Sequence, residues 1–190
     1  MSDHATDVNA VNANHDQFNW LRLGLLICLV IGATAMRLIP HPMNFAPIGA
    51  MALFAGATFR SRWLSVLVPV AALGLSDLIL GVHSTMTVVY GCFLLNVALG
   101  WWADNRKVWR VASATLLGSV IFFLATNFAF WWSYHEHTFA QLMVAYANAL
   151  PFFRNSLAGD AFYVVALFGL LSLFENWVPA VRPRETAVAA

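Results

Sequence analysis

Cys28 and Cys92 are the only thiols in the chain, and their settings differ. Cys28 lies in Leu25-Leu26-Ile27-Cys28-Leu29-Val30, an apolar run in which a thiol stays protonated and packs as a small hydrophobe. Cys92 follows Tyr90-Gly91, with Asn96 one helical turn further on. By residue type alone its plainest role is again packing, yet it stands among polar groups that a bound ligand would use. Soft thiolates bind transition metals, but one thiolate cannot hold a free ion. A metal that meets Cys92 would therefore arrive inside its own ligand set, as a metallated cofactor, which excludes an ordinary metal-ion channel. Neither cysteine has CxxC or Cys/His spacing, and two cysteines make no disulfide framework.

The other candidates are scarce polar residues inside or beside apolar runs: Arg37, His41, Asn44, Ser76, Asp77, His83, Tyr90, Asn96, Asn127, Arg154, Asn155 and Asp160. Ionisable groups at membrane depth are costly unless they face a cavity or a partner. Each also has a structural role to weigh. Asp77 is placed to pair with Arg37 or Arg154 as a buried ion pair. Asp160 sits where a helix N-cap or first-turn carboxylate belongs. Asn96 and Asn127 suit hydrogen bonding between helices. His41, between Pro40 and Pro42, reads as a loop histidine, as do His83, His135 and His137; the last two lack a third ligand for zinc. Arg154 is harder to dismiss, following the aromatic Pro151-Phe152-Phe153.

These residues need elements to hold them, and composition names the kind. Of 190 residues, 61% are hydrophobic and 10% charged, with a mean hydropathy of +0.70. A soluble domain carries about a quarter charged residues, so an ordinary soluble enzyme and a disordered chain are excluded. A net charge of +1 also excludes a nucleic-acid binder. The composition predicts an all-α integral membrane protein. Apolar runs fall at about 20–38, 48–59, 63–80, 86–102, 111–132 and 160–178, six transmembrane helices. The second is short, squeezed between Pro47 and Arg60. Seven of the eight tryptophans (Trp20, Trp63, Trp101, Trp102, Trp131, Trp132, Trp177) stand at segment ends, where indoles favour the headgroup layer. Residues 1–19 read as a disordered polar cytoplasmic tail, 20–178 as the membrane domain and 179–190 as a second cytoplasmic tail. Within the long connection 133–159, Phe139–Leu150 reads as an amphipathic helix on the membrane surface.

Basic residues set the orientation. With the N-terminus inside, the cytoplasmic set is Arg22, Arg60, Arg62, Arg106, Lys107, Arg110, Arg182 and Arg184, against only Arg37 and Arg154 outside. Eight against two places both termini in the cytoplasm and the polar layer at the outward face. No internal repeat supports a transporter of two inverted halves.

The run Arg37-Leu38-Ile39-Pro40-His41-Pro42-Met43-Asn44-Phe45-Ala46-Pro47-Ile48-Gly49-Ala50 resembles the opening motif of small bacterial membrane proteins related to the S-components of energy-coupling-factor vitamin transporters. The resemblance continues through Leu75–His83, Tyr90-Gly91-Cys92-Phe93, Thr126-Asn127-Phe128 and Pro151–Asp160, spanning about 37–170. BtuM-type members, solitary cobalamin transporters of the bacterial inner membrane, carry a cysteine at the start of the fourth helix, where this chain has Cys92. The resemblance implies an S-component-like bundle with cobalamin held at its outward face. It also implies a Cys92 thiolate ligating the corrin cobalt and supporting decyanation of cyanocobalamin. Arg37, His41, Asp77, Tyr90 and Arg154 join Cys92 as expected contacts. Decyanation needs electrons that one thiol cannot supply, so an external reductant or second thiol is implied. Solitary transport implies that no ATPase module is required, and the chain has no Walker A motif. The expected partners are thus cobalamin and membrane lipid.

An S-component for another small vitamin, sharing an energising ATPase module, is the alternative; it would bind no corrin. A membrane enzyme acting on lipid ranks lower, because it wants paired carboxylates or a histidine–carboxylate relay.

Overall fold

The computed structural model describes residues 19–81, 84–104 and 107–183. Most of the N-terminal tail, His83, Arg106 and Arg184 lie outside the described residues. Among the described residues the protein is all-α, with six helices: α1 Trp20–Met36, α2 Ile48–Thr58, α3 Arg62–Leu80, α4 Met86–Ala103, α5 Val108–Tyr134 and α6 Phe139–Trp177. The last four are long and apolar enough to cross a membrane, and α1 and α2 are shorter apolar helices. A 3-10 turn, Pro179–Val181, follows.

Side-chain caps begin three of the helices. Asn19 accepts from the Arg22 amide at 2.9 Å, Ser61 from Leu64 at 3.4 Å and Thr138 from Gln141 at 3.3 Å. The ends of α1 and α6 are clamped where the chain turns back. Arg22 meets Glu175 at 2.5 Å and the Val181 carbonyl at 2.8 Å. The Asn19 amide donates to the Ala180 carbonyl at 2.7 Å, so the segment just after α6 is packed against α1.

Helix α2 is the centre of the bundle. Its sequence, IGAMALFAGAT, is mostly small or apolar, eight of its eleven residues are buried, and it packs against each of the other five helices. Small side chains allow this crowding. A Cβ on Gly100 would come within 2.8 Å of the Gly56 Cα, so α2 and α4 cross backbone to backbone. At 1.5 Å per residue α2 is about 16 Å long, roughly half a membrane's hydrocarbon thickness. Beyond Pro47 the chain continues as the 37–47 segment, which turns at Asn44 in the left-handed region (φ 63°) and closes with the Phe45 amide on the Pro42 carbonyl at 3.0 Å.

One sequence expectation is overturned. Phe139–Leu150 is not a separate surface helix and 133–159 is not a long connection, because α6 runs unbroken for 39 residues. Pro151 lies inside this helix, where it removes the hydrogen bond to the carbonyl four residues back and crowds that carbonyl, a cost that packing against neighbouring helices carries without ending the helix. Around Pro151 the helix is held against α5. Phe123 contacts Tyr146 and Phe153 with ring centroids 5.7 and 4.6 Å apart. The Tyr146 hydroxyl donates to the Leu124 carbonyl at 2.8 Å.

Candidate functional site

At the end of the bundle opposite Arg60 and Arg62, three helix ends meet in one buried network. Arg37 follows α1, and its guanidinium pairs with Asp77 Oδ1 of α3 at 2.9 Å and also donates to the Ser76 hydroxyl. The Tyr90 hydroxyl of α4 donates to Asp77 Oδ2 at 2.9 Å. The side chains of Arg37 and Asp77 are 10% and 4% exposed. Both carboxylate oxygens are thus used, and Arg37 rather than Arg154 is the partner of Asp77. Such a network locks three helix ends in register, since losing one partner strands a buried charge.

The remaining expected contacts do not join it. Arg154 is exposed and makes no ion pair among the described residues. His41 is exposed, its Nδ1 donating to the Pro42 carbonyl at 3.0 Å. Next to Arg154, Asn155 donates to the Met43 carbonyl at 3.0 Å, tying α6 to the 37–47 segment.

Cys92 is 6% exposed, whereas Cys28 is exposed on α1. Two residues turn a helix by about 200°, so Tyr90 faces α3 while Cys92 points to another side. Cys92 shares its face with Asn96, which lies against Gly118 of α5. The contact of Gly100 with Gly56 sets the parallel register of α4 on α2, an offset of 100 − 56 = 44. Cys92 therefore lies level with residue 48, the first of α2. Asn96 and Asn127 do not bond across helices as expected. Each amide donates to the carbonyl one turn back on its own helix, Cys92 at 3.0 Å and Phe123 at 2.8 Å.

At the level of the α2 N-terminus the structure adds a group whose role the sequence conceals. Asp160 was expected to cap its own helix, but it lies in the middle of α6. Its carboxylate instead accepts from the Ser119 hydroxyl of α5 at 2.6 Å and from the Ala50 amide in the first turn of α2. Pro47 gives α2 no side-chain cap, so Asp160 caps α2 from a neighbouring helix. Gly49 makes room, since a Cβ there would lie 2.7 Å from Asp160 Oδ1. The available signal was negative: no Ser, Thr, Asp or Asn immediately precedes α2.

His137 stacks on Trp132 at 4.3 Å, with planes 11° apart. Among the described residues no group of three His, Cys, Asp or Glu side chains could hold a metal ion.

An all-α bundle of six helices, four of them apolar and long enough to span a membrane, has the architecture of a multi-pass membrane protein. The chain belongs to a family of unknown function, DUF6580, whose model matches residues 17–181. No curated protein and no solved structure matches it.

Proposed function

We propose that the protein is a solitary cobalamin transporter of the bacterial inner membrane. It would capture the corrinoid at its outward face and bind the cobalt through Cys92. The observation that carries this reading is the placement of Cys92: a buried thiol level with the N-terminus of a central helix that stops at half depth. Beyond that level the chain continues as the 37–47 segment, exposed from Leu38 to Asn44 and held to α6 through Asn155 and the rings of Phe45 and Phe162. A large, flat ligand entering there would displace a connecting segment, not a packed helix. The 37–47 segment and the sequence around Cys92 are among the stretches that resemble the S-component-related membrane proteins, and Cys92 stands where BtuM-type members carry their cysteine.

The residues then divide by task. Cys92 supplies a soft donor to a cobalt that brings its own corrin nitrogens. As a strong σ donor, a Cys92 thiolate would weaken the cobalt–cyanide bond; an external thiol, oxidised to its disulfide, would supply the electrons that reduce the cobalt, and cyanide would leave as the anion. Arg37, Asp77 and Tyr90 hold the ends of α1, α3 and α4, fixing the rim through which the ligand passes. His41 and Arg154, both exposed, offer polar contacts to corrin amides.

The direct test is equilibrium binding. Protein purified in detergent and incubated with cyanocobalamin should retain the corrin absorption bands through gel filtration. Protein that emerges colourless, but binds another small vitamin and transports it only with an ATPase module, would establish the alternative.

A further inference from the structure

At the end of the bundle opposite the Arg37 network, arginines and tryptophans alternate in one continuous array. Arg62 lies over the Trp101 ring at 5.1 Å, and Arg110 lies over Trp102 and Trp109 at 5.5 and 5.4 Å. Trp102 and Trp109 meet edge to face at 6.0 Å, and the Trp101 indole is pinned by donating to the Ser65 hydroxyl at 2.9 Å. Arg60 and Lys107 flank the array. None of these four cations forms an ion pair with another described residue. Against them stands one carboxylate of the same connections, Asp104. The Nε of Arg110 is buried with no hydrogen-bond partner among the described residues.

Stacking on indoles uses the faces of a guanidinium and leaves its in-plane N–H fork for a planar or tetrahedral anion, phosphate above all. The same indoles fix the depth, because tryptophans at helix ends settle among lipid headgroups. Helix α5 starts here without a side-chain cap or an acidic residue in its first turn, so its positive end adds to the field. Trp63 (85% exposed) and Val108 (82% exposed) offer apolar surface beside the cations. A free phosphate would use the cations alone; a phospholipid would use both.

We propose that the Arg62–Trp101–Trp102–Arg110–Trp109 array binds the phosphate headgroup of an anionic phospholipid. The site belongs to the membrane-facing surface of the inner end, and its ligand is a structural lipid rather than transported cargo.

The test is native mass spectrometry of the full chain in mild detergent, with equal amounts of phosphatidylglycerol and phosphatidylcholine. The wild type should retain phosphatidylglycerol in excess. The R62Q/R110Q double variant should lose that preference by at least about tenfold, given roughly 1 kcal/mol per basic residue at an anionic surface. Arg182→Gln removes a charge at the same end, but Arg182 is engaged with the Glu175 and Asn176 carbonyls, so it should keep the preference. Equal retention of the two lipids by wild type, which requires no variant to fold, overturns the proposal. So does an equal loss in R182Q, which would reduce the effect to general charge. Glycerol phosphate added in excess should not displace the lipid; displacement would assign the site to a free phosphate and overturn the lipid reading.

Discussion

Removing the Asp160 carboxylate should loosen the centre of the bundle, although the residue lies 110 positions from the Ala50 amide it caps. In Asp160→Ala the Ala50 amide and the Ser119 hydroxyl lose their shared acceptor. Hydrogen bonds to a charged group contribute about 1.5–3 kcal/mol each. Two of them sum to about 3–6 kcal/mol, and release of the desolvated charge returns part of this. The net loss should be about 2–4 kcal/mol. Asp160→Asn keeps a carbonyl oxygen for Ala50, and Ser119 can rotate to accept from the new amide, so it should cost only about 1–2 kcal/mol. Ser119→Ala removes one donor and should cost about 1 kcal/mol. SDS titration of protein in mixed micelles, followed by tryptophan fluorescence, reads these differences. In a double-mutant cycle, Ser119→Ala should cost much less once Asp160 is already Ala, because the two side chains share one bond. An Asp160→Ala protein that unfolds within about 0.5 kcal/mol of wild type, a range usual for surface substitutions, would refute the capping argument.

Three further outcomes follow from the geometry. Arg37→Ala and Asp77→Ala should each cost about 3–5 kcal/mol in the same titration, and Tyr90→Phe about 1 kcal/mol; equal and small effects for all three would mean the pair is not buried. Gly100→Leu should expel α2 from its crossing with α4 and abolish folded protein on gel filtration, whereas Gly169→Leu, where a side chain meets nothing within 4 Å, should be tolerated. In a Cys28→Ser, Cys92→Ser background, a cysteine at Lys107 should be labelled only after the membrane is breached; labelling in intact cells by an impermeant maleimide would reverse the assigned orientation.

The sequence made the apolar helices legible because hydrophobic length and interfacial tryptophans are local signals. The runs 20–38, 63–80 and 86–102 match α1, α3 and α4 to within two residues. The Arg37–Asp77 pair was legible among its alternatives because charges are so scarce. What failed depended on contacts between distant segments. Pro151 looks like a stop to any local rule, and only the packing of Tyr146 and Phe153 on Phe123 shows why the helix continues. Asp160 looks like the cap of a helix starting at 160, because nothing within a turn of it points to Ala50 or Ser119. Arg154, prominent by scarcity, is exposed, so a rare charge marks a partner only when the fold buries it.

The most direct measurement of the central claim is the visible spectrum of wild type, Cys92→Ser and Cys28→Ser after incubation with cyanocobalamin and a thiol reductant. Wild type and Cys28→Ser should both show the shift of a sulfur-ligated cobalt and lose cyanide. Cys92→Ser should do neither, while keeping some bound corrinoid through its other contacts. Decyanation by Cys92→Ser at the wild-type rate would contradict the thiolate mechanism and leave Cys92 as a packing residue of α4.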